Sequence, residues 1–488
     1  MDRALSTAVA QHAPQALIIG GGITGLAAAN RLLQRAPGCR ITLLEADDRL
    51  GGKILTDRAD DFIIEGGPDA FLAAKPRGVG LSEDLGLGGQ LQGVTPRERR
   101  AYVLWRGRLH DLPEGLTGLV PTRLGPLAHS TLLSPAGKAR VALDFVIPAR
   151  AASADESLAG FIRRRLGSEA WERLVEPLMA GIYAADGSQL SLAATFPQLR
   201  QAEIEHGGLI RGVLAQRRAA ASLPPRSAFL TPAPGLDTLV AALRQRLRDG
   251  RVTIRTGVAA TAVSPIDGGY RVQLATNESI AADAVIFATP AYASADLVAG
   301  CAPELAAELR GIPHASTAIV TLAYRSEEIP HPLAGHGYVI PRAEGGPILA
   351  CTWSSRKWQG RAPVGWELIR VFIGRAGRED VLAEDDDALI TLARREVATR
   401  LGAAADAMFT RVHRWPRGMP QYLLGHRERI GRIETALATL PGLFLAGNAY
   451  RGVGIPDCIA SGEQAADAAL AALPLAAIES PRPVPAPI

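Results

Sequence analysis

The chain is short of the residues that many function classes require. Its 488 residues include four cysteines, Cys39, Cys301, Cys351 and Cys458, with no C-x-x-C pair and no histidine cluster beside them. That scatter predicts free thiols in a reducing compartment and no metal centre. No apolar run reaches the ~18 residues that a membrane-crossing helix needs. The first fourteen residues, with Asp2, Arg3, Gln11 and His12, lack the apolar core of an export signal. Lys and Arg number 53 against 49 Asp and Glu, a net charge of +4, without the basic blocks of a nucleic-acid binder. A Ser/His/Asp set, carboxylates paired in a motif and an internal repeat are missing too. The expectation is a cytoplasmic globular protein, 47% hydrophobic, long enough for two or three interleaved domains. Its slight basic excess suits acidic small molecules or an anionic membrane surface.

Glycine, by contrast, is abundant and placed. The stretch ALIIGGGITGLAAANRLLQRAPGCRITLLEADDRLGGK, residues 16–53, predicts a strand (Ala16–Ile19), a turn, a helix (Leu26–Leu33) and a second strand (Arg40–Leu44). Gly20, Gly22 and Gly25 fit G-x-G-x-x-G. The first permits the tight turn, the second lets backbone approach a pyrophosphate, and the third brings helix close to sheet. Free N–H groups at the helix N-terminus then face the phosphates. Glu45 ends the second strand about twenty residues past Gly25, where a carboxylate accepts from ribose hydroxyls. That disfavours NADP and leaves FAD or NAD. The chain then returns to the ligand with Arg49, Gly51-Gly52 and Lys53, and with the turn Glu65-Gly66-Gly67-Pro68 after the strand Phe62–Ile64. Such repeated glycine and cation contact suits a longer, more deeply wrapped ligand than NAD. The E-x-x-x-R-x-G-G run resembles the flavin amine oxidase superfamily, in which it packs on FAD.

Further along, 101–113 reads as a hairpin around Arg106-Gly107, and 115–225 turns helical, with helices at 134–147, at 155–167 behind an acidic cap, and at 168–184. A helix over 236–248, strand Val252–Arg255 and a hairpin at Asp267-Gly268-Gly269 resume the nucleotide fold, and 281–291 is a buried strand entering a turn. Residues 315–375 alternate apolar and polar in several strands, as in an antiparallel floor sheet. Near the end, Leu443–Ala446 is a buried strand, Gly447–Gly454 a glycine loop, and Pro456 opens a helix to about Leu470. Aimed at a flavin's pyrimidine edge, that helix would stabilise the reduced anion with no charged side chain. Residues 1–14 and 476–488 read as disordered tails.

YRGVGIPDCIASG, EPLMAGIYAAD, IIEGGPDAFL, ACTWSSRKW and RWPRGMPQYLLGH together resemble the bacterial oxygen-dependent protoporphyrinogen and coproporphyrinogen III oxidases, over residues 15–472. The resemblance implies an α/β fold with a Rossmann-like FAD-binding domain of the p-hydroxybenzoate hydroxylase/amine oxidase type (15–75, 226–300 and 425–475). An interleaved α+β substrate domain (76–114 and 301–424) and a helical insertion (115–225) complete it. It implies FAD as cofactor, a porphyrinogen and O2 as substrates, haem biosynthesis as the setting and handover to a ferrochelatase; peripheral contact with the inner face of the cell membrane is expected instead from the apolar content of the insertion. Coproporphyrinogen III is the expected substrate and protoporphyrinogen IX the alternative. The expected cofactor contacts are Gly20, Gly22, Gly25, Glu45, Arg49, Gly51, Gly52, Lys53, Gly66, Gly67, Pro68, Val258 (through its backbone, at the adenine), Gly447, Val453, Ile455 and Pro456. Lys75 is the expected propionate partner, and Met179, Ile182 and Tyr183 the expected pocket residues. No side-chain base is assigned: His314 and His413 read as structural, and Arg451 carries no role. An amine oxidase would show an aromatic pair near the C-terminal signature, a carotenoid desaturase a stronger membrane patch, and a non-catalytic relative such as a GDP dissociation inhibitor no intact flavin glycines.

Overall fold

The computed structural model describes residues 13–473 apart from 96–99, 118, 151–154 and 221–226. The expected tails lie outside the described residues, save for residues 13 and 14. A five-stranded parallel sheet forms around β1 (Gln15–Ile19), which leads through the helix α1 (Ile23–Arg35) to β2 (Arg40–Leu44). It is completed by β3 (Thr253–Arg255), β4 (Ala284–Phe287) and β5 (Leu443–Leu445), in the order β3-β2-β1-β4-β5, and β5 leads into α2 (Ile455–Ala472).

Both faces of this sheet are covered, which is why β1, β2 and β4 read as continuous apolar runs. Ala16 and Ile18 point into one core with α1, α2 and the helix Asp237–Asp249. Leu17 and Ile19 point into the other, with the helices Ala291–Val298 and Pro303–Arg310 and a three-stranded antiparallel sheet over 260–282. α1 and α2 touch so closely that a Cβ on Gly462 would lie 2.1 Å from the Thr24 carbonyl oxygen.

A seven-stranded sheet makes the second layer. Its order is Phe409–Pro420, His314–Arg325, Trp366–Ile373, Ile348–Trp353, Gly337–Val339, Tyr102–Trp105, Arg108–Asp111. The hairpin at Arg106-Gly107 forms as read, with both residues left-handed at φ 51° and 75°. The strand Phe409–Pro420 was not foreseen. Pro416, Gly418 and Pro420 mask it, and they are tolerated because it lies at the sheet edge, with a register shift opposite Ala315 to Thr317.

The insertion is helical but differs in detail. A short ladder, Leu116–Thr117 with Val120–Pro121, precedes the helices. The stretch 134–147 is a helix only over Pro135–Ala142, followed by a 3₁₀ turn. The next helix, Leu158–Leu166, is capped by Ser157, whose hydroxyl accepts from the Gly160 N–H, and not by an acid. Asp155 instead accepts from Ser191 and the Ala193 N–H. The stretch 168–184 is broken by a π-turn at Trp171–Val175, because Pro177 has no N–H to return to the preceding turn. No helix among the described residues is long and apolar enough to cross a membrane.

Candidate functional site

The first turn shows which glycines the protein itself needs. Gly20 is left-handed (φ 108°), and a Cβ there would meet the Ala288 oxygen at 2.7 Å. A Cβ on Gly25 would sit 1.9 Å from the Gly20 oxygen, so α1 starts flush against the turn. Gly22 differs: its φ is −69°, open to any residue, and a Cβ there would meet nothing nearer than the Gly52 Cα at 4.0 Å. Gly51 and Gly52, both at positive φ, lie across from it, joined through the Gly51 N–H to the Gly21 carbonyl at 2.9 Å. Arg49 donates to the carbonyls of Gly52 (2.6 Å) and Ile54 (3.2 Å) and so ties this loop shut. Glu45 accepts from the N–H groups of Gly21 (2.7 Å) and Asp47 (2.9 Å), which orients its carboxylate at the end of β2. Beside it, the Val258 N–H is committed to the Glu45 carbonyl at 3.0 Å.

Lys53 leads from this loop toward Gly66-Gly67-Pro68. A Cβ on Gly67 would lie 2.0 Å from the Lys53 oxygen, and one on Gly66 would strike the His413 ring. Burial holds the Lys53 ammonium below its ordinary pKa. Trp415 Nε1 donates to the Gly66 carbonyl (2.8 Å) and Arg370 to that of Gly67 (2.5 Å). Beyond the turn, Asp69 accepts from Lys357 (2.8 Å) and Trp358 (3.1 Å) and lies 3.5 Å from Arg370. Despite burial, these cations hold its carboxyl well below the usual range. Glu65 accepts from Thr56 (2.7 Å) and the Leu236 N–H (2.9 Å) and faces Arg361 at 3.4 Å, while burial pushes its pKa up. Asp69 was missed in the sequence, although an acid directly behind a glycine turn in a basic chain is a signal.

At the far end, Gly447 is left-handed (φ 132°) and its N–H donates to Ser461 of α2 at 3.0 Å. α2 starts at Ile455, with Pro456 in its first turn and Gly454 as N-cap. Ile455 is buried, and Val453 packs against the core of the insertion. One expectation is corrected here: the helix end does carry charge. Asp457 accepts from the Gly454 N–H at 3.2 Å and pairs with Lys75 at 2.5 Å. Lys75 is therefore not a free cation awaiting a propionate. It is half-exposed beside α2, with an acid already in contact. The Arg451 guanidinium is exposed and pairs with Glu434.

Met179, Ile182 and Tyr183 share the helix Glu176–Tyr183, with Met179 and Tyr183 one turn apart on its buried side and Ile182 exposed. Met179 is fully buried in the core of the insertion, Tyr183 is buried between Phe196 and Tyr422, and Ile182 is 46% exposed. Of the three, only Ile182 is exposed. His314 Nδ1 donates to the Ile312 carbonyl at 2.9 Å, and burial lowers its pKa to about 4. His413 is also shifted down by burial. Among the described residues no group of His, Cys, Asp or Glu could hold a metal ion.

The model of the family described as "Flavin containing amine oxidoreductase" matches residues 23–470. The chain belongs to that family. This flavin amine oxidoreductase is 38% identical over 465 residues to the coproporphyrinogen III oxidase of Bacillus subtilis (strain 168), covering 93% of this chain and 97% of the relative. It is 30% identical to the chloroplastic protoporphyrinogen oxidase of Nicotiana tabacum, covering 91% and 83%. A crystal structure of a provisionally assigned protoporphyrinogen oxidase from Exiguobacterium sp. 255-15 superposes with a TM-score of 0.83 at 35% identity, covering 93% and 98%. The cofactor of the family is FAD, and the flavoprotein's turn fits it. Gly22 is free of steric demand from the protein, and the space its missing side chain leaves, facing Gly52 beside an open helix N-terminus, suits a pyrophosphate.

Proposed function

We propose that the protein oxidises a porphyrinogen to the porphyrin in haem biosynthesis, coproporphyrinogen III to coproporphyrin III, with O2 as acceptor and H2O2 as product. The observation that carries this reading is the near full-length match to a coproporphyrinogen III oxidase, roof helices and second sheet included. FAD, when bound, supplies the hydride acceptor and the route for electrons to O2. Residues 15–75, 226–300 and 425–475 make the flavin lobe in this reading, 76–114 and 301–424 the substrate lobe, and 115–225 the roof.

Each element has a task. Gly20, Gly22 and Gly25 let the first turn of α1 meet the pyrophosphate, with Gly51, Gly52 and the Arg49-tied loop closing over it. Glu45 would receive ribose hydroxyls, and the backbone of Val258, its N–H spent on Glu45, would lie against the adenine. Lys53, poorly hydrated, offsets negative charge near Gly66, Gly67 and Pro68. Gly447, Val453, Ile455 and Pro456 bring the positive end of α2 to the ring. Pyrrole nitrogens push electron density toward the departing hydride, so no side chain need act as a strong base, and His314, its pKa lowered by burial, is a weak one. Ile182 offers an apolar contact to the macrocycle. Lys75 meets a propionate by exchanging or sharing Asp457. Tyr183 supports the pocket wall from behind, and Met179 fixes the helix that carries both. Exposed Leu143 and Val146 in the insertion supply apolar surface for peripheral membrane contact and handover of the planar product to a ferrochelatase.

The test is porphyrin fluorescence in air, with coproporphyrinogen III and protoporphyrinogen IX supplied separately to yellow, flavin-loaded protein. Faster appearance of coproporphyrin is the expected result. A protoporphyrinogen preference transfers the assignment to the alternative, and inertness toward both overturns it.

A further inference from the structure

The loop 447–454, which joins β5 to α2, is gripped by two side chains from a neighbouring segment. The Tyr422 hydroxyl donates to the Asn448 carbonyl at 2.6 Å and accepts from the Gly452 N–H at 2.7 Å. His426 stacks on the Tyr422 ring, centroids 4.2 Å apart and planes 12° apart, and its Nε2 donates to the Tyr450 carbonyl at 3.0 Å. Tyr422 and His426 are 0% and 5% exposed. Every partner is main chain, so the pair fixes the loop's backbone whatever its side chains do. The same segment is bonded to the roof: the Tyr422 carbonyl accepts from the Ser191 N–H at 2.8 Å, the Leu424 N–H donates to Gln189 at 2.9 Å, and Gln421 Nε2 donates to the Tyr183 carbonyl at 2.9 Å.

We propose that Tyr422 and His426 are positioning residues that set the N-terminus of α2 against the flavin and couple it to the roof over the substrate. The proposal rests on the flavin reading above. Losing the hydroxyl leaves a half-buried N–H and a half-buried carbonyl without their partner, and they regain one within the protein only if the loop moves. The positive end of α2 moves with it, and the reduced ring loses stabilisation.

Tyr422→Phe keeps the ring and its stack and removes only the hydroxyl. Three quantities are measured on it and on the unaltered protein: the FAD dissociation constant of the apo form, the midpoint potential of bound flavin, and the thermal midpoint of the apo form. We expect the dissociation constant to rise about ten-fold, as for one or two lost hydrogen bonds, and the potential to become more negative. A merely structural role lowers the apo thermal midpoint and leaves both flavin readouts unchanged, which overturns the proposal. If Tyr422→Phe does not fold, His426→Leu carries the test through the same readouts. His426→Gln, whose amide can replace the ring N–H, is expected to restore them. Unaltered protein that takes up no FAD sinks the flavin reading itself, an outcome distinct from an insensitive Tyr422→Phe.

Discussion

At the scale of single residues, the three motif glycines make unequal demands. A methyl group on Gly25 collides with the Gly20 carbonyl at 1.9 Å, whereas one on Gly22 meets no protein atom nearer than 4.0 Å. Gly22→Ala should therefore leave the apo thermal midpoint unchanged and weaken FAD binding, and Gly22→Asp should abolish it by setting charge against the pyrophosphate. Gly25→Ala should lower the apo midpoint by several degrees. Retention of full flavin content in Gly22→Asp would falsify the placement of the cofactor. Lys75→Ala tests the substrate side: the Michaelis constant should rise more than turnover falls. Stability should change by less than about 1 kcal/mol, since the pair with Asp457 is half-exposed. An unchanged kinetic profile would return Lys75 to the surface.

His314 makes a residue-scale prediction about pH. Its pKa is lowered to about 4 in the folded protein, against 6.5 unfolded, because burial disfavours the charged ring. Between those values the unfolded chain holds a proton that the folded one refuses, so stability is full above 6.5 and falls as the pH drops toward 4. His331, His413 and His426 are shifted the same way by burial. Urea unfolding at pH 7.5 and 5 should show this loss. His314→Asn, which can keep the bond to Ile312, should lose less by about 1–2 kcal/mol. Equal losses in both proteins would remove His314 from the account.

At the scale of elements, legibility followed locality. β1, α1 and β2 were readable because glycine turn, apolar runs and acidic strand end all lie within one short window, and the Arg106-Gly107 hairpin because two left-handed residues suffice to make it. The strand Phe409–Pro420 was not, since its pairing with His314–Arg325 is set by distant chain and its prolines speak against a strand. The break at Trp171–Val175 was missed although Pro177 stands in plain view, because the apolar pattern runs through it. α2 illustrates both outcomes. Its start was legible from Gly454 and Pro456, but the charge state of that start was not, as Lys75 reaches Asp457 from 382 residues away. Asp457→Asn keeps a capping acceptor and removes a negative charge from the end of α2 nearest the ring. The flavin midpoint potential should rise, measured by spectroelectrochemical titration. An unmoved potential would mean that this helix end lies too far from the ring to act on it.

At the scale of the whole molecule, the glycine turn behind Phe62–Glu65 is tied to the seven-stranded sheet by a joint that is partly ionic. Arg370, on a central strand of the seven-stranded sheet and 1% exposed, holds the Gly67 carbonyl from 303 residues away and faces Asp69. Arg361, equally buried, holds the Ala233 and Pro232 carbonyls and faces Glu65. Such a joint contributes little net stability over an apolar one, but it is intolerant of losing one partner, because the other charge stays buried and unmatched. Asp69→Asn should destabilise by about 3–5 kcal/mol, because Arg370 is then left buried without its facing carboxylate, while adding Arg370→Leu to it should recover part of that loss. Urea unfolding of the two variants and the parent decides it. Because cations hold the Asp69 carboxyl below its ordinary range, its contribution is present at neutral pH and disappears only below the usual carboxylate pKa, so the comparison is made at pH 7.5, away from the histidine window. If the double variant is no more stable than Asp69→Asn, the arginine's hydrogen bond to Gly67, and not its charge, is what holds the turn against the seven-stranded sheet.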